Sequence, residues 1–224
     1  MSTILLASQA QHELAADPIQ EHIAGLIDQM IAGLPALETL TSEQRRGIVA
    51  RYSAVLEGNF IYWMTATAIA SKNKEALPIL FENLLEECRD AHPAMMRRFA
   101  IAAKAFPTDI DALCVDAELT AMRLFLSKLQ GVQSLIAMAF FEGWIQRFMG
   151  YLAALAVAQG SNDLEYTNVH GVCDVVHSQE LFRAVSLEIA INPVEPGNDI
   201  YEGVTVLRTL IDKILQGPAA SSAA

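Results

Sequence analysis

VQSLIAMAFFEGWIQRFMGYLAALAVA, residues 132 to 158, decides the fold class. The stretch is apolar enough to raise the question of a membrane span, yet Glu142, Gln146 and Arg147 stand at its middle. Each charge at a bilayer centre costs roughly 2.5–3.5 kcal/mol on insertion scales, so the segment reads as the buried central helix of a bundle. The whole chain has the same character. Hydrophobic residues make up 53% and charged residues only 18%, with Ala and Leu dominant and few β-branched runs, which favours buried helices over strands. At 224 residues the chain is long enough for one domain with a sizeable core. The expectation is an all-α, single-domain bundle of seven to eight helices.

Working outward from this helix, start and stop signals divide the chain. Asp17-Pro18 opens a first helix to about Ala32. Thr41 with Gln44 forms a capping box for a long second helix to about Ala70, with Gly58 as a bend. A third spans about Asn73 to Glu87, Arg89 to Pro93 interrupt it, and a fourth runs to Ala105. Thr108 with Asp111 starts the next region, to about Leu129. Beyond the turn at residues 160–163, a helix runs from about Leu164 to Ile191, and Asn198 caps a last one to Gln216. Residues 1–16 are expected to be a flexible leader, 17–216 the domain and 217–224 a disordered tail.

The formal charge of −11, with no cluster of Lys and Arg, excludes a phosphate-binding face and therefore a nucleic-acid partner. The N-terminus lacks a basic region before its short apolar run, so it does not read as a secretory signal. Cys88, Cys114 and Cys173 are too few and too odd in number for a disulfide framework, which points to the cytoplasm.

His170, Asp174 and His177 stand at i, i+4 and i+7, within an arc of about 60° on one helix face. That face continues through Leu181 and Ala184, so it points inward. A buried stripe of two imidazoles and a carboxylate needs a compensating partner, and a divalent metal is one. The alternative is an ordinary half-exposed polar face. Glu142, set between Phe141 and Gly143 and close to Trp144, is a second buried acid, either a ligand or a salt-bridged core residue. Glu82 and His92 are ten residues apart, about 15 Å along a continuous helix, so they share a metal only if the helix breaks between them. The Arg89 to Pro93 stretch provides that break. A solvated charge run is the competing reading.

At these residues the chain resembles the haem-oxygenase-like diiron oxidase and oxygenase family, which includes the CADD-like proteins. The family pattern is a Glu on one helix with a later His, a Glu on an apolar helix, then His-x3-Asp-x2-His. Here these are Glu82 with His92, Glu142, and His170, Asp174 and His177. The resemblance spans roughly Leu40 to Glu180. It implies a haem-oxygenase-like bundle with two irons held by those six residues and dioxygen as co-substrate. It further implies a small-molecule substrate, an amino acid, amine or fatty acid, undergoing N-oxygenation, desaturation or carbon–carbon cleavage. A homodimer and an external electron donor belong to the same expectation. Glu86, on Glu82's face, and then Glu87 are the fallbacks for the first ligand.

Two other readings remain open. A TenA-like hydrolase of similar fold would use a cysteine nucleophile, but Cys173 lies about 100° off the ligand stripe. A non-catalytic helical protein would bind a structural metal or none. The paired Glu-x-x-His motifs of ferritin-type diiron sites are absent. The aromatic run Asn59 to Met64 is a candidate pocket wall or plain core, and Arg147, about 140° around the helix from Glu142, is expected to miss the pocket.

Overall fold

Capping chemistry and apolar periodicity set the helix pattern of the protein, seen here in a computed structural model that describes residues 18–194 and 199–217. In chain order the helices are α1 (18–32), α2 (Ser42–Leu56), α3 (Asn59–Ala70), α4 (Leu77–Arg89), α5 (His92–Ala102), α6 (Asp109–Leu126), α7 (Gly131–Ala158), α8 (Glu165–Ile191) and α9 (Glu202–Gln216). No strand occurs among the described residues, and the fold is an all-α bundle. No helix among them is long and apolar enough to cross a membrane.

Both expected capping boxes form: Thr41 with Gln44 opens α2 and Thr108 with Asp111 opens α6. Gly58 does more than bend the second helix. With φ of 81° it adopts the left-handed conformation and splits the segment into α2 and α3. The third helix starts later than expected, at Leu77, because Asn73 forms a local turn in which its side-chain oxygen accepts from the Glu75 N–H at 2.7 Å. Asp17 and Asn198, expected as caps, and the expected leader lie outside the described residues, as does the tail beyond Gly217.

The core is built around α7, which packs along α8 for much of its length. Phe140, Phe141, Trp144 and Phe148 are fully buried. Phe141 stacks on Trp144 and Trp144 on Phe148, with ring centroids 6.0 and 4.5 Å apart, the spacing that i, i+3 and i+4 neighbours on one helix permit. Trp63 of α3 meets Phe141 edge-on. Each such side chain contributes about 1.5–3 kcal/mol on burial, enough to hold α7 and α8 in fixed register and so to fix the polar groups they carry.

Candidate metal centre

His170, Asp174 and His177 occupy one inward face of α8, with exposures of 5%, 1% and 7%. Glu142 faces them from α7 at 2%. The opposite wall is the junction of α4 and α5. Ala91 there has φ of 55°, a left-handed conformation that costs an alanine about 1–3 kcal/mol and that packing must over-determine. The reversal brings Glu87, near the end of α4, against His92, the first residue of α5.

Glu82, expected as the first ligand, is not among the side chains brought together. Glu82 is exposed, whereas Glu87 is buried and its Oε1 accepts from His92 Nδ1 at 2.7 Å. Five residues separate the two acids, about 140° around the helix, so only one of them faces inward. The buried face of α4 is Leu80, Asn83 and Glu87, a stripe at helical spacing that the sequence carries. His92, Glu142, His170, Asp174 and His177 come together as expected. Glu82→Ala is therefore expected to leave metal stoichiometry and affinity unchanged in an anaerobic titration.

Two adjoining clusters result. In one, Glu87, His92 and His170 present donor atoms all within 4.8 Å of one another, and His170 Nε2 lies 3.8 Å from Glu87 Oε1. His170 Nδ1 donates to the Tyr166 carbonyl at 2.9 Å, which turns Nε2 toward Glu87. In the other, His177 Nδ1 stands 3.6 Å from Asp174 Oδ1 and 3.8 Å from Glu142 Oε1. Its Nε2 donates to Glu86 Oε2 at 2.8 Å, and Asn83 Nδ2 donates to Glu142 Oε1 at 2.9 Å. Glu86 thus orients a histidine from outside the cluster.

The electrostatics separate these groups from ordinary buried acids. Glu188, also on α8 and fully buried, accepts backbone N–H groups from Lys72 and Asn73 and is satisfied by them. Asp174 Oδ2 and His177 Nδ1 are buried with no hydrogen-bond partner, an arrangement that costs free energy unless a further group binds there. Burial pushes Glu142 well above the usual carboxylate range, and the charge of Asp174 adds to it. Burial opposes charge on His177 as well, but the neighbouring carboxylates of Asp174 and Glu86 raise its pKa to about 10. Burial would raise Glu87 too, yet the adjacent imidazoles of His170 and His92 hold it at about 2. A cation between these oxygens and nitrogens would replace the shared protons and satisfy the orphaned atoms. Mixed imidazole and carboxylate donors fit iron.

A narrow apolar pocket reaches the first cluster and Glu142, walled by Leu56, Phe60, Ile61, Met96 and Ile145. Of the aromatic run on α3, Phe60 and Ile61 line this pocket, Trp63 and Met64 are core, and Tyr62 is exposed. Tyr166 packs its ring 4.1 Å from that of His170 and shares a 3.0 Å hydrogen bond with Tyr52. Sequence reasoning missed both tyrosines; the i, i+4 spacing of Tyr166 to His170 was the available signal. Arg147 misses this pocket, as expected, and pairs with Asp28 of α1. Cys173 donates its thiol to Asp174 Oδ1 at 3.1 Å, and burial pushes its pKa up, so it is held as the thiol rather than the nucleophilic thiolate.

Fold and site together define a haem-oxygenase-like helical protein with an interior suited to metal. Comparison of sequences gives its family: residues 49–208, a span holding every residue of both clusters, match the iron-containing redox enzymes, and the chain belongs to that family. No curated protein matches it.

Proposed function

We propose that the protein is a non-haem diiron oxidase or oxygenase that uses dioxygen to oxidise a small molecule. The observation that carries this reading is a pair of adjoining donor clusters, Glu87 with His92 and His170, and Asp174 with His177 beside Cys173 and faced by Glu142, the second of which leaves Asp174 Oδ2 and His177 Nδ1 without partners. Glu87, His92 and His170 would hold one iron, and Glu142, Asp174 and His177 the other. Bound there, ferrous ions supply electrons and open coordination positions for dioxygen.

The chain's own residues prepare the site. Tyr166 fixes the tautomer of His170 through its carbonyl, Glu86 fixes that of His177, and Asn83 holds Glu142 in place. The apolar pocket excludes water beside Glu87 and Glu142 and accepts the hydrocarbon part of a substrate. An amine, amino acid or fatty acid fits that description, and N-oxygenation, desaturation or carbon–carbon cleavage is the corresponding chemistry. A second copy of the chain and an external electron donor complete the proposal.

The test is anaerobic loading with Fe(II) followed by rapid mixing with oxygen. Consumption of oxygen with a transient coloured species is expected. Protein that retains iron but consumes no oxygen would point to a structural metal instead. Cys173→Ala is expected to leave metal uptake and oxygen consumption within about twofold of wild type, because a half-buried thiol of this kind acts as a small packing residue. Activity lost in Cys173→Ala alone, with iron binding intact, would support the hydrolase reading.

A further inference from the structure

A second cleft, of about 180 Å³, lies between α1, α7 and α8 and is unlike the apolar pocket in position and chemistry. Its polar lining includes Gln20, Gln146, Gln179 and Ser178, and it reaches Asp174. Asp174 is the one member of the two donor clusters that touches this cleft, and neither it nor His177 lines the apolar pocket. The two openings therefore lead to different ends of the centre. Gly143 helps keep the cleft as it is: a Cβ there would stand 3.1 Å from Ile27 Cδ1 and 3.2 Å from Ser178 Oγ, crowding the contact of α7 with α1 and α8.

What such a cleft accepts follows from its groups. Amide and hydroxyl oxygens are neutral, hard donors that can replace the waters of a divalent cation a few at a time. Arg147 also lines the cleft, but its charge is paired with Asp28. The charge left at the inner end is that of Asp174, 1% exposed, whose Oδ2 has no partner. The net charge of −11 draws cations to the protein from solution. The apolar pocket, with its leucine, isoleucine and phenylalanine walls, offers a hydrated ion little in exchange for its water.

We propose that this polar cleft is the loading route of the second metal, a transit site for a hydrated divalent cation that ends on Asp174. The inference rests on the two-metal reading, and its test separates the two. Cobalt(II) alone, whose absorption reports its coordination, is mixed anaerobically with metal-free protein in a stopped-flow instrument. Wild-type protein is expected to bind two equivalents in two phases. Ala24→Phe, at a half-buried cleft position on α1, and Gln20→Trp, at an exposed one, are expected to slow the second phase by about tenfold, as an added barrier of that size requires. Both should reach the same final stoichiometry of two. Ile61→Phe, which narrows the apolar pocket, should leave the second phase at its wild-type rate. Circular dichroism checks that each variant keeps its helices, and the exposed Gln20 position keeps the test available if Ala24→Phe does not fold.

Wild-type loading rates in both cleft variants, a slow second phase in Ile61→Phe alone, or reduced final stoichiometry in the cleft variants would overturn the route. A wild-type protein that never takes a second equivalent would overturn the two-metal reading itself.

Discussion

Replacing Glu87 by alanine is expected to abolish the first metal position and leave the second. Its Oε1 lies 2.7 Å from His92 Nδ1 and 3.8 Å from His170 Nε2, so one oxygen joins both imidazoles of that cluster. Without it two imidazole rings with centroids 4.5 Å apart remain, and no negative charge within the triad offsets the cation. Loss of a partner outside the ligand shell costs roughly 10–100-fold in metal affinity, and loss of a charged ligand costs more. An anaerobic titration of Glu87→Ala should find one Fe(II) per chain where wild type binds two. The pH dependence gives a second readout. Glu87 titrates at about 2 in the folded protein against an ordinary 4.5, so its stabilising contribution is present above 4.5 and is lost as pH falls toward 2. Acid unfolding of metal-free Glu87→Ala should lack that component.

The second large effect is a trade between function and stability at Glu142. Glu142→Gln should eliminate the second metal while making the metal-free protein gain stability relative to wild type as pH rises above the ordinary carboxylate range, because the amide has no proton to lose there. The sign follows from the proton count. Burial and the charge of Asp174 raise the Glu142 pKa, so the folded state binds a proton that the unfolded state has released. Stability of wild type therefore falls as pH rises above the ordinary carboxylate range. Glutamine keeps an oxygen for Asn83 and carries no charge to desolvate. His177 acts in the same direction at higher pH: its pKa of about 10 gives stability that is full below 6.5 and lost as pH rises through 10. Thermal unfolding of wild type and Glu142→Gln across this pH range, with and without metal, measures both contributions.

The parts of this centre that were legible in sequence are those fixed by one helix. His170, Asp174 and His177 share a face by the helical repeat alone. Glu142 is conspicuous because an acid among phenylalanines and a tryptophan must be compensated. Glu87 was harder to choose, since Glu82, Glu86 and Glu87 all sit on α4 and the inward face depends on how that helix packs. The left-handed residue that turns α4 into α5 is an alanine, Ala91, with none of the glycine or asparagine signal that usually marks such a turn. The roles of Tyr52, Asn83 and Glu86 depend on contacts between helices, which local pattern does not encode. Gly58 was legible as a discontinuity but not as a full break, because a glycine within an apolar run is compatible with either.

The most direct measurement of the central claim is anomalous diffraction at the iron edge from crystals loaded anaerobically with Fe(II). The account predicts two peaks per chain, one among Glu87, His92 and His170 and the other among Glu142, Asp174 and His177. A single peak, or iron at the exposed Glu82 with those two clusters free of metal, would contradict it.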